Sequence, residues 1–309
     1  MGSQSESTGF SALLALIAAA SCAAGIAAHG SLEMWPSMLA AAILLLCTAL
    51  AVSFLCRAFP FSASVSAAFV FIVLATCNVH ALLFDTLHIA ALLYCLSLAS
   101  LQDTKKMQSN PGNIAAAGCL LCCSSFFFPP LVWMALPSFF LSLLFAGDKT
   151  RHTAAYLAGI LLALMVYAGI KYLMGGAPAA LTSLSGYASG IVTPAKPTFH
   201  ITPAAAVRLA LTFIGTAASA VFILRDIKRC PKPRYIASAD ALAFLVCTPV
   251  VCLVFGGDFS LPFGLLMSVP ASVLIGNFLS QHRLSSVGKA LVALFAVVLA
   301  IERILLFIN

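Results

Sequence analysis

Residues 126–137, FFFPPLVWMALP, interrupt an apolar stretch of 33 residues that runs from 114 to 146. As a single helix the stretch would be about 50 Å long, well beyond the roughly 30 Å of hydrocarbon that one crossing covers. Pro129–Pro130 stops the first helix, because proline has no N–H to donate and its ring clashes with the preceding turn. Proline is accepted at the start of the next helix. The stretch is therefore read as two short helices, 114–128 and 131–146, that meet near a membrane surface. A second break lies in residues 78–88, NVHALLFDTLH, and divides 64–102 into 64–80 and 86–102. Each of these two breaks adds one crossing and so decides on which side the segments beyond it lie.

Composition supports a lipid solvent. Hydrophobic residues make up 62% of the chain and charged residues 8%, against about 25% charged in a soluble domain. The fold class is all-α, a polytopic helical bundle forming a single integral membrane domain over 1–309. About eleven spans are read, near 10–28, 38–56, 64–80, 86–102, 114–128, 131–146, 153–173, 204–224, 241–256, 261–279 and 289–308. The longest gap, 174–203, is rich in Gly, Ala, Ser and Pro and reads as an extended surface loop with one short interfacial helix.

The charges test this count. Cytoplasmic loops carry an excess of Lys and Arg. Twelve of the sixteen basic residues fall in or at the edge of the even-numbered loops, from Arg57 through the run LRDIKRCPKPR (224–234) to Arg283 and Lys289. The exceptions are Lys171, Lys196, Arg208 and Arg303. Merging either broken pair would set neighbouring segments in conflict. The N-terminus is thus placed in the cytoplasm and the C-terminus outside. The net charge of +7 belongs to these loops, so no nucleic-acid partner is inferred. The basic run 224–234 suits anionic lipid headgroups.

Ten of the eleven cysteines lie in apolar runs, where cysteine behaves as a small hydrophobe, and Cys230 lies in the most basic loop. Cys122–Cys123 lacks the spacing of a zinc site. LIAAASC (16–22) resembles a lipoprotein cleavage site, but the first nine residues hold no Lys or Arg and so no positive n-region precedes it.

The polar residues that topology does not explain gather on the outer face. Asp85 lies in the tight third loop between His80 and His88. Glu33 lies in the first loop, Lys196 in the seventh and Asp258 in the ninth. Asp85 has four readings: metal ligand, proton carrier, catalytic base, or water-exposed helix cap. Asp85 and His88 are three apart and share a helical face, and two His with one carboxylate is a recognised ligand set. No H-E-x-x-H motif accompanies them, and no metal or cofactor is assigned. Glu33 and Asp258 also read as caps or surface groups. Arg208, inside the start of the eighth span, reads either as snorkelling to headgroups or as facing a cavity. No nucleotide loop or nucleophile elbow is present.

FDTLHIAALLYCLSLASLQDTKK (84–106), followed by NIAAAGCLLCCSSFFFPPLVWMALPSFFLSLLF (113–145) and AGDKTRHTAAYLAGILLALMVY (146–167), resembles the middle of GT-C-type membrane glycosyltransferases. The same stretch looks still more like an uncharacterised family of multi-spanning bacterial inner-membrane proteins common in Bacteroidetes. The resemblance covers roughly residues 60–175. It implies a GT-C-like arrangement and glycosyl transfer from a polyprenyl-phosphate-linked sugar at the outer face. Asp85 and Glu33 would then be catalytic, one carboxylate deprotonating an acceptor hydroxyl. Arg208 or Lys196 would hold the carrier phosphate, with His80, His88 and Asp258 lining the substrate site. The sequence departs from that pattern in a first outer loop of only about nine residues, HGSLEMWPS (29–37), with a single acid. Two other classes stay open. One is a lipid or small-solute transporter or flippase. The other is a non-catalytic membrane subunit that assembles with envelope proteins.

Overall fold

The computed structural model describes residues 34–56, 61–76, 79–103, 110–144, 148–192, 203–226, 232–256 and 261–282, with scattered positions between 290 and 301. Within these residues all regular structure is helical. Nine α-helices follow one another: α1 (Trp35–Leu55), α2 (Phe61–Thr76), α3 (Thr86–Asp103), α4 (Pro111–Phe127), α5 (Ala135–Leu144), α6 (Lys149–Val192), α7 (Pro203–Asp226), α8 (Lys232–Gly256) and α9 (Leu261–His282). Short 3-10 turns, Val79–Leu82 and Pro129–Met134, precede α3 and α5. Two helices, α1 and α6, are long and apolar enough to cross a membrane. The eleven expected spans thus reduce to two that meet that test among the described residues. The candidate spans 10–28 and 289–308 lie largely outside those residues.

Both predicted breaks are present. α4 ends at Phe127, Phe128 is extended (φ −141°, ψ 91°), and Pro129–Pro130 open the 3-10 turn. The Phe128 N–H still reaches the Ser124 carbonyl at 3.2 Å, so the last turn of α4 closes before the chain departs. α4 begins as cleanly. Asn110 accepts the Gly112 N–H at 3.0 Å and Pro111 follows at the first helical position, where a missing N–H costs nothing.

α9 is the central helix, with every residue from Leu265 to Leu279 buried. It packs on α2 so closely that a Cβ at Gly276 would lie 2.5 Å from the Ala67 Cα. α3 lies between α4 and α1, and Ser97 donates to the Ala117 carbonyl at 2.8 Å. α3 and α8 run antiparallel: Tyr94 meets the Thr248 hydroxyl at 2.9 Å, while Gln102 and Asp240 line one cavity two turns away. α4 and α6 run parallel. Ala115 sits against Gly159, Gly118 against Tyr156, and Phe126 stacks on Tyr167.

α6 is two arms. Gly175 and Gly176 leave helical geometry, with φ +71° at Gly176, a conformation that glycine alone adopts without strain. In an unbroken helix Tyr167 and Tyr187 would be about 30 Å apart. Their rings lie 6.3 Å apart, so the chain reverses at the glycine pair. The second arm, 177–192, returns along the end of α4. Tyr187 bonds the Ser125 hydroxyl, and Trp133 Nε1 donates to the Ile191 carbonyl at 3.2 Å. Most of the expected surface loop 174–203 is therefore helix. α8 also starts earlier than its expected span of 241–256, at Lys232 with Pro233 in its first turn.

Candidate functional site

The break before α3 is built from a turn, a cap and a histidine. Asp85 immediately precedes α3. Its Oδ1 accepts the Leu87 N–H at 3.1 Å and the Thr86 hydroxyl at 3.0 Å. This is an N-cap, which satisfies one of the donors a helix leaves unpaired at its start and places a carboxylate at the positive end of the helix dipole. Asp85 itself is half-buried.

His88, one turn into α3, is 1% exposed. Its Nε2 lies 2.8 Å from the Ala81 carbonyl and its Nδ1 3.2 Å from the Asp85 amide nitrogen. A carbonyl only accepts, so Nε2 carries the proton, and the neutral ring takes the Asp85 N–H on its Nδ1 lone pair. A protonated ring would instead donate from Nδ1 to the Asp85 carbonyl oxygen, 3.1 Å away. His88 thus ties the 3-10 turn to the first turn of α3. A further bond, from the Phe84 N–H to Ser37 Oγ at 2.9 Å, joins the break to the first turn of α1.

The other candidates are dispersed or lie beyond the described residues. His80 falls in the 3-10 turn and Arg208 in the second turn of α7, with their side chains outside the described set. Glu33, Lys196 and Asp258 lie wholly outside it. Among the described residues, no three His, Cys, Asp or Glu side chains group as metal ligands.

Several polar positions were not singled out by the sequence. Asp148 caps α6, accepting the Thr150 hydroxyl at 2.8 Å and the Arg151 N–H at 3.2 Å. These two bonds hold its carboxyl below the usual carboxylate range. Asp240 is 2% exposed inside α8. It shares a cavity wall with Gln102, whose Oε1 is buried and accepts no hydrogen bond. Pro233, in the first turn of α8 and eight residues before 241, is the sequence signal that α8 begins early enough to carry Asp240 inside. Two of the polar groupings among the described residues are the capped break before α3 and the cavity between α3 and α8.

Fold and sites together define an all-α protein with helices long and apolar enough to cross a membrane. The chain belongs to a family of unknown function (DUF6427), whose model matches residues 4–307. No curated protein and no solved structure matches it.

Proposed function

We propose that this is a multi-pass protein of the bacterial inner membrane that transfers sugar from a polyprenyl-phosphate carrier at the outer face, with Asp85 and Glu33 in one outward cleft. The membrane placement is supported by apolar side chains left open to the surroundings along whole helix faces. Leu39, Ile43, Leu46, Leu50 and Phe54 form such a stripe on α1. In water that stripe would be costly, and in lipid it is the ordinary outer face of a bundle.

The single observation that carries the site is the Phe84–Ser37 hydrogen bond, which brings the start of α1 to the Asp85 break. Glu33 is four residues before Ser37, so chain length alone keeps their Cα atoms within about 14 Å. Both carboxylates line one substrate-sized pocket in this reading. In this reading Asp85 accepts the proton of an acceptor hydroxyl while Arg208 or Lys196 holds the carrier phosphate.

A second reading, a non-catalytic subunit that assembles with envelope proteins, is favoured by the capping of α3 through Asp85 Oδ1. Asp85→Asn and Asp85→Ser separate the two, because both keep an acceptor for the Leu87 N–H. The purified protein is reconstituted with a polyprenyl-phosphate-linked sugar, and release of the polyprenyl phosphate is followed. The catalytic reading expects both variants to lose turnover at an unchanged melting temperature. Wild-type turnover in both variants would remove Asp85 from the chemistry. Wild-type protein inert toward such carriers would leave the subunit reading.

A further inference from the structure

The two arms of α6 close on a lysine. The Tyr167 ring of the first arm and the Tyr187 ring of the second lie 6.3 Å apart, so the same faces of the two arms stay together one turn nearer the Gly175–Gly176 reversal. Lys171 is there on the Tyr167 face and Ser183 on the Tyr187 face, and both are half-buried. The Lys171 ammonium lies 5.7 Å from the centre of the Tyr167 ring, within cation–π range. That ring is fixed from behind by its stacking on Phe126, and the Tyr187 hydroxyl is taken by Ser125.

No acid answers this charge. Lys171 makes no ion pair, and the placed carboxylates of Asp85 and Asp148 cap α3 and α6. The surroundings are apolar and open: Met165, Val166, Ile170, Leu173 and Leu181 are all exposed, Leu173 by 86%. A lysine in such a place needs a partner. Snorkelling would carry its head toward the reversal and the membrane surface, whereas the ammonium lies back over Tyr167, one turn the other way. The depth of the cleft follows from α3 and α4. Ser97 bonds the Ala117 carbonyl between these consecutive, antiparallel helices. Nine residues toward the break on each helix reach His88 and Phe126. Lys171 therefore stands at the end of the bundle that holds the Asp85 break, the outer face in the orientation that the Lys and Arg distribution gives.

We propose that this cleft binds the phosphate of an anionic phospholipid of the outer leaflet, paired with the Lys171 ammonium over Tyr167. The ammonium donates to the phosphate oxygens in charge-assisted bonds. The acyl chains lie along the exposed apolar face that begins at Leu173 and Ile170 and continues through Val166 and Met165. This site requires the membrane placement proposed above and is independent of glycosyl transfer.

The test uses the purified full-length protein, stripped of lipid in a neutral detergent and then given phosphatidylglycerol or phosphatidylcholine. Its melting temperature is followed, and native mass spectra count the lipids it retains. A ligand of the folded state raises the melting temperature. Phosphatidylglycerol is expected to raise it more than phosphatidylcholine in the wild type, in Lys171→Arg and in Lys228→Gln, a control in the basic run 224–234. Lys171→Gln is expected to retain one phosphatidylglycerol fewer and to lose that part of the shift. Ser183→Glu sets a carboxylate level with the ammonium in place of the lipid phosphate, and it is expected to fold and lose the same lipid. It serves as the deciding variant if Lys171→Gln does not fold. Equal shifts with the two lipids in the wild type would overturn the site. So would an undiminished response in Lys171→Gln, or in Ser183→Glu where that variant decides. Stabilisation by a polyprenyl phosphate with none by phosphatidylglycerol would also overturn it, and would move Lys171 to the carrier chemistry.

Discussion

His88 shows how an imidazole is kept inside an apolar bundle: both ring nitrogens are bound to backbone, and each bond also serves a backbone group that the break would otherwise strand. His88→Ala leaves the Ala81 carbonyl and the Asp85 N–H without that partner. A destabilisation of about 1–3 kcal/mol is expected, the usual range for an abandoned buried polar group, read as a lowered melting point in micelles. Asp85→Ala is expected to cost about 0.5–2 kcal/mol through the lost cap, whereas Asp85→Asn keeps an oxygen acceptor and should be close to neutral. Asp148 gives a pH dependence of definite sign. Its folded carboxyl titrates below the ordinary carboxylate value because of its bonds to Thr150 and Arg151. Its contribution is therefore complete above that ordinary value and is lost as pH falls through the lower, folded one. The stability difference between wild type and Asp148→Asn should be constant near neutral pH and shrink only as pH falls through that acidic window, and a difference that varies with pH near neutral would contradict the assignment. The sequence marked Asp85 as a charge in an apolar run and left four roles open. It could not show which N–H groups the carboxylate would meet, because those depend on the path of the turn.

At the scale of elements, helices that approach closely do so at glycine. Gly276 faces the Ala67 backbone and Gly159 the Ala115 backbone, with no room for a Cβ at either, while Gly169 faces open space. Gly276→Ala and Gly159→Ala should each destabilise by about 1–3 kcal/mol, as overpacking does, and Gly169→Ala should be tolerated. Equal effects at all three positions would mean that backbone freedom, not contact, is what these glycines supply. The breaks at Pro129–Pro130 and before Asp85 were legible because proline chemistry and span length act locally. The 177–192 arm was hidden by its composition. Gly, Ala and Ser read as loop, yet Gly175–Gly176 followed by Pro178 is also a helix stop followed by a helix start. What holds the arm is distant: Phe126 and Ser125, which meet Tyr187, and the Trp133 indole, which meets Ile191.

For the whole molecule, the proposed orientation rests on the distribution of Lys and Arg. A reporter fused after Arg234 is expected to be active only in the cytoplasm, and one fused after Asn309 only outside. Both fusions active on one side would refute an odd number of spans. The eight cysteines in the described residues are free thiols, so equal gel mobility with and without reductant is expected for the monomer. By itself the sequence determined the helical class, the two breaks and the apolar character of the helices, because each follows from the local rules of proline, backbone pairing and hydropathy. Only the tertiary structure decided which helix is central, that α6 folds back on itself, and that Asp240 and Gln102 share a cavity although 138 positions separate them. A stretch apolar on every side carries no mark of which face meets lipid and which meets protein. That choice falls to side-chain fit between helices far apart in the chain.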